Sequence, residues 1–182
     1  MKIIKLFAAI IFSANALIAN AGSIDASKSS VTATFKQLGV AVDTKFKTFS
    51  GQIDFDAANP ATAKAQLVLQ VASFDMGDAE YNKEVQKKEW FNAAQFPQAT
   101  FVTTAIKPIS ANKLQAQGKL TIKGKTLDVN VPIDFKQDAK TQTFSGSLPI
   151  KRLYFNIGEG EWKDTDTLAD DIIIKFNIIT DR

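Results

Sequence analysis

The 182-residue chain contains no cysteine and no histidine. The first absence excludes disulfides and acylation at a cysteine. The second excludes more. No Ser-His-Asp or Cys-His constellation can be built, and zinc sites of the Cys/His type go with it. Carboxylate, lysine or tyrosine chemistry stays open, as does a calcium site made of oxygens. A strong charge of one sign is also missing. The chain has 22 Lys+Arg against 19 Asp+Glu, and setting aside Lys2 and Lys5 at its start leaves 20 against 19. That near-balance lacks the basic field a nucleic-acid partner needs. Nor is there an apolar run of membrane-spanning length. The stretch from Leu6 to Ile18 falls short of the roughly 20 residues a bilayer requires.

That short run has another meaning. A basic start, the apolar stretch and Ala19-Asn20-Ala21, an A-x-A cleavage pattern, predict a signal peptide over residues 1–21 and a mature start at Gly22. The expectation is an exported protein of the periplasm with no stable membrane span. Residues 22–182 then form one domain, long enough to bury a sizeable core.

Most of that domain alternates apolar and polar residues with period two. Val31, Ala33 and Phe35 share a face, as do Leu67, Leu69 and Val71. The run "LDVNVPIDF" sends Leu127, Val129, Val131, Ile133 and Phe135 one way; Ile172, Ile174, Phe176 and Ile178 repeat the pattern. One buried and one wet face is the mark of antiparallel sheet. Strands are predicted at 30–37, 40–49, 51–56, 63–74, 99–106, 112–122, 125–136, 141–149 and 171–180, with a short one at 152–157. Lys123-Gly124 reads as a two-residue hairpin turn. Pro132, lacking an N–H, points to an edge or a bulge. Residues 78–90 read as the one helix, capped by Asp78, with a thin stripe of Tyr81 and Val85 and an anchor at Trp90-Phe91. Many long strands and one surface helix favour a sandwich or a closed barrel, and closure removes exposed edges.

Three stretches carry a resemblance: "FSGQIDFDAANPATAKAQLVLQVASFDMGDAEYNKEVQKKEWFN" (49–92), "QFPQATFVTTAI" (95–106) and "GKLTIKGKTLDVNVPIDF" (118–135). In that order they resemble the YceI-like family of exported proteins. The resemblance implies an all-β fold, an extended antiparallel eight-stranded lipocalin-like β-barrel with one short surface helix. It also implies a long isoprenoid or similar lipid held in the lumen. Where the family usually has His-Leu-Gly after its first strand, this chain has Gln37-Leu38-Gly39. Where the family often has Arg-Asp and then histidine at the helix start, it has Tyr81, Asn82 and Glu84. The ending "IGEGEWKDTDTLAD" resembles that of a subgroup of the family.

This acidic ending invites a chemical role. The EF-hand template fails when started at Asp164, because Leu168 and Ala169 fall at its fifth and sixth positions; an irregular calcium site stays open. "GEG" flanked by carboxylates would repel phosphate. Glu159 and Glu161 would point the same way in extended chain and could form an acid–base pair. The plainer reading is a solvated loop into the last strand, bent at Gly158 and Gly160 and anchored by Trp162.

The functional expectation is a non-enzymatic lipid-binding protein, with no catalytic or metal site and no required cofactor. Its lumen would sequester or carry an isoprenoid lipid, polyprenyl or quinone. The residues expected to line it are Phe35, Phe46, Phe55, Leu67, Leu69, Val71, Phe101, Leu120, Val129, Val131 and Ile133. The alternative is a solid module whose acidic rim docks a periplasmic or membrane redox partner without bound lipid. A homodimer stays open.

Overall fold

The computed structural model describes residues 22–182, so the expected signal peptide lies outside the described residues. Eleven strand segments appear: β1 (Gly22–Ser23), β2 (Ser30–Gln37), β3 (Val40–Phe46), β4 (Phe49–Asp54), β5 (Lys64–Gln70), β6 (Phe74–Asp75), β7 (Gln98–Ser110), β8 (Lys113–Ile122), β9 (Lys125–Gln137), β10 (Thr141–Lys151) and β11 (Leu168–Asp181). All belong to one antiparallel sheet in the order β1-β4-β5-β7-β8-β9-β10-β11-β2-β3-β6.

Two sharp corners explain why eleven segments make eight staves. β3 runs into β4 through a bend at Lys47-Thr48, and β5 runs into β6 through a 3-10 turn, Val71–Ser73. The corners lie side by side. Lys47 N–H donates to Ser73 O (3.1 Å), Gln70 N–H to Thr48 O (3.0 Å) and Thr48 N–H to Ser73 Oγ (3.0 Å). An ion pair from Lys47 to Asp75 at 2.9 Å fastens them from outside. Pairing of β11 with β2 completes the circuit. Where β2 ends, Ile24 and Asp25 bridge β4 to the tail of β11, donating to Gly51 O (3.2 Å) and Ile179 O (2.8 Å). The result is an eight-staved up-and-down barrel of the lipocalin type, as the resemblance implied.

Local chemistry explains several features. Lys123 and Gly124 have φ of 48° and 72°, the pair of positive values that a tight hairpin turn requires. Pro132 pairs with Gln115 of β8, while the β10 ladder begins only at Ile133 opposite Gly146. The proline thus sits where β9 parts from β10, a local edge that tolerates a missing donor.

Besides the two corners, which break the strands expected at 40–49 and 63–74, two expectations need correction. The helix is shorter than 78–90: α1 spans Ala79–Glu84, with the Asp78 carboxylate accepting from the N–H groups of Glu80 and Tyr81 as expected. Val85, Trp90 and Phe91 all pack with Phe74, yet a continuous helix would set Phe91 roughly 240° from Val85. Burying both requires the chain to leave the helix, and it turns at Asn92 with φ 50°. The predicted strand at 152–157 is a 3-10 turn, Arg152–Phe155, ended by Asn156 at φ 58°. Among the described residues, no helix is long and apolar enough to cross a membrane.

Candidate functional site

Call the barrel end carrying the Leu38-Gly39 and Lys123-Gly124 turns, α1 and the 152–167 connection the upper end. The lower end is stoppered by aromatic packing. Phe55 lies 4.7 Å from Phe135 and 5.3 Å from Phe144, centroid to centroid. Between stopper and upper end lie two adjoining cavities, an upper one of about 170 Å³ and a lower one of about 140 Å³. Phe46, Phe91, Ile122 and Ile174 line both and form the waist between them.

The two cavities differ chemically. The lower wall is hydrocarbon from β2 to β5 and β7 to β11, with polar side chains contributed only by Gln66 and Thr103. The Thr103 hydroxyl is occupied, donating to Ala65 O at 3.2 Å and accepting from Ala65 N–H at 2.8 Å. The upper wall adds Gln37, Tyr81, Glu84 and Arg152 to an otherwise apolar and aromatic lining. Several inward side chains, among them Phe35, Leu67, Phe101, Ile174 and Phe176, are only half-buried. Inward-facing apolar groups left partly uncovered mean a lumen and not a filled core.

Eight of the eleven expected lining residues reach these cavities. Phe35 lines the upper; Phe46 lines both; Leu67, Leu69, Phe101, Leu120, Val131 and Ile133 line the lower. Three do not. Phe55 is part of the stopper. Val71 is buried in the corner turn, where the chain has left the strand. Val129 packs at the core margin, opposite Gly118, against which the Phe101 ring lies. The expected lining left out Ile122, Ile150 and Arg152, which period-two counting extended one or two steps along β8 and β10 reaches, and Ile172 and Ile174, which the alternation had already set on one face of the last strand. It also missed Trp90, Phe91 and Trp162 as lining residues, since they lie on segments without periodicity.

The acidic stretch has an unexpected organiser. Arg152, only 2% exposed, directs its guanidinium at five backbone carbonyls: Ala169 (3.1 Å), Ile157 (2.8 Å), Gly158 (3.3 Å), Asp164 (3.5 Å) and Leu168 (2.9 Å). Burial pushes its pKa down, and the charges of Asp170 and Asp164 oppose this. A planar five-donor fork suits this task as no ammonium could. At Gly158, with φ 77°, an added Cβ would fall 2.3 Å from a guanidinium nitrogen, so the loop closes on the arginine only with glycine there.

A second buried cation, Lys123 (8% exposed), holds the same segment from the β8–β9 turn. Its ammonium donates to Asn156 O (2.7 Å) and Glu159 Oε2 (2.9 Å). The N–H groups of Gly158 and Glu159 both donate to Glu89 O (2.9 Å each), and Trp162 packs on Trp90 with centroids 5.1 Å apart. The segment is thus a strap whose Ile157, Trp162 and Leu168 wall the upper cavity. A 3-10 turn at Gly160–Lys163 breaks the extended spacing that would have aimed Glu159 and Glu161 together. Among the described residues, no group of three or more Asp or Glu side chains is placed to hold a metal.

The Lys123 ammonium lowers the Glu159 pKa. A lowered carboxyl pKa contributes stability above the ordinary glutamate range and loses it as pH falls through the folded value. The melting temperature of Glu159→Gln should therefore lie below wild type near neutral pH and converge with it in acid. Thermal melts across a pH series check this; a gap that persists unchanged into acid would contradict it.

The positions where this chain departs from the family pattern fall at the upper cavity. Gln37, Tyr81 and Glu84 line it. Asn82 instead braces the entry to α1, accepting from Met76 N–H (2.7 Å) and donating to Asp75 (2.9 Å).

A closed antiparallel barrel with an apolar, two-lobed lumen defines a lipocalin-like β-barrel protein. The chain belongs to the YceI-like family: the YceI-like domain matches residues 23–180. It is 33% identical over 160 residues to Protein YceI of Escherichia coli O157:H7, covering 83% of each chain. The crystal structure of Burkholderia cenocepacia BcnA is similar with a TM-score of 0.84 and 51% identity, over 86% of this chain and 99% of that one. A polyisoprenoid binding domain from Saccharophagus degradans, implicated in plant cell wall breakdown, shares the fold at 17% identity, with a TM-score of 0.70 over 88% and 98% of the two chains.

Proposed function

We propose that the protein is a non-enzymatic, exported lipid-binding protein that sequesters or carries one isoprenoid-type lipid, polyprenyl or quinone, in the barrel lumen. The observation that carries this reading is the pair of adjoining cavities with an almost wholly hydrocarbon wall. Family membership and the polyisoprenoid-binding neighbour support it. The driving force is removal of the chain from water. Ten buried methylenes at about 0.8 kcal/mol each would supply roughly 8 kcal/mol before the costs of ordering and association. The predicted signal peptide supports a periplasmic setting.

Organic extracts of the purified protein should contain an isoprenoid detectable by mass spectrometry, and the stripped protein should take up an added polyprenyl or quinone. Clean extracts together with no uptake would overturn the reading. They would favour the alternative, a barrel that works through its surface.

A further inference from the structure

The lower cavity is almost wholly hydrocarbon and the upper one carries the polar lining, so a lipid filling both lobes would place its head in the upper. That lining holds one cation and one carboxylate, Arg152 and Glu84. A shallow cavity of about 260 Å³ beside it shares Trp162 and Leu168 and adds Glu161, Asp164 and Thr167. Together the two linings carry three carboxylates against a single guanidinium. The Asp164 carboxylate accepts from Asp166 N–H and the Thr167 hydroxyl at 2.9 Å each, which holds its pKa below the usual carboxylate range.

The cations at this end are already committed. Each of the five N–H groups of Arg152 donates to a backbone carbonyl, so an anion could bind it only by displacing one of them. Lys87 pairs with Glu84, and Lys123 holds Asn156 O and Glu159. The departures from the family pattern point the same way. Gln37 stands where that pattern has a histidine, Tyr81 where it has an arginine and Glu84 where it has a histidine. All three line the upper cavity, so a basic group has given way to a neutral or acidic one at each.

We propose that the lumen takes an isoprenoid with an uncharged head, a quinone or a free alcohol, and rejects the corresponding phosphate ester, with Glu84 at the end of α1 as a residue that sets the discrimination. The proposal rests on the lipid-binding reading above and narrows its ligand. A phosphate entering the upper cavity forfeits hydration that no uncommitted cation replaces, and the Glu84 carboxylate adds like-charge repulsion. A neutral head meets neither penalty, while Gln37 and Tyr81 offer it an amide and a hydroxyl that both donate and accept.

The test titrates stripped protein with a polyprenol and with its monophosphate of the same chain length, so that burial of the tail cancels in the comparison. Wild type should bind the phosphate about tenfold or more weakly than the alcohol. Glu84→Gln removes a negative charge and releases Lys87, and Tyr81→Arg adds a cation at an exposed site. Each should raise the ratio of phosphate to alcohol affinity by roughly tenfold, with thermal melts confirming that both variants are folded. Wild-type affinity for the phosphate equal to or above that for the alcohol, or a ratio that neither variant raises, would overturn the discrimination. Failure of wild type to bind either compound would overturn the lipid-binding reading itself, and the proposal with it.

Discussion

Ile174→Trp should lower the affinity for a long isoprenoid by roughly 1,000-fold while the barrel stays folded. Ile174 is one of four side chains at the waist shared by the two cavities. An indole there fills the passage and confines any chain to the upper lobe. If about five methylenes lose their burial, the loss is about 4 kcal/mol, which is that factor. Overpacking normally costs about 1–3 kcal/mol because a dense core has nowhere to yield. Here one side of Ile174 faces free volume, so the cost should lie near the lower end and the melting temperature should drop by only about 2–4 °C. Calorimetric titration of stripped protein with a polyprenyl or quinone checks the first part and thermal melting the second. Wild-type affinity in the variant would show that ligands do not pass the waist.

The second large effect concerns stability. Arg152→Met should destabilise the fold by about 3–5 kcal/mol, lowering the melting temperature by roughly 10 °C. The substitution keeps the apolar stem but deprives five carbonyls of their donor, and those carbonyls order the strap from Ile157 to Leu168. Arg152→Lys should not rescue it, because three donors on one nitrogen cannot serve five carbonyls spread around a plane. The packing of Trp162 on Trp90 supplies a local readout: indole fluorescence should shift as the strap loosens, and limited proteolysis should cut within it. A variant melting within about 2 °C of wild type would contradict this account.

The acidic run illustrates how chemistry legible in sequence can mislead. Its carboxylates drew attention to metals and acid–base pairs, yet the structure sets its carbonyls around Arg152 and uses Glu159, Asp164, Asp170 and Asp171 in separate hydrogen bonds and ion pairs. The decisive residue, Arg152, lies outside the run, and nothing in its immediate neighbours marks it. It does continue the inward face of β10 through Leu148 and Ile150. Counting by twos across the strand's end would have brought an arginine to the barrel interior and raised the question of what satisfies it.

The corners were equally out of reach. The segments 40–49 and 63–74 each read as unbroken strand or nearly so, because neither Lys47-Thr48 nor Val71–Ser73 carries a glycine or proline. Each bend is stabilised by hydrogen bonds to the other, so neither exists until both strands are paired.

The alternation of apolar and polar residues determined, unaided, that this chain forms long antiparallel strands with one greasy face, since the two-residue period is a property of each strand by itself. The Lys123-Gly124 turn and the Asp78 cap were local for the same reason. The tertiary structure alone decided which inward side chains plug the barrel, which thicken its wall and which face open space. Phe55, Val71 and Leu67 share one sequence pattern but take three different roles, because the role depends on what strands far away in sequence place opposite each of them.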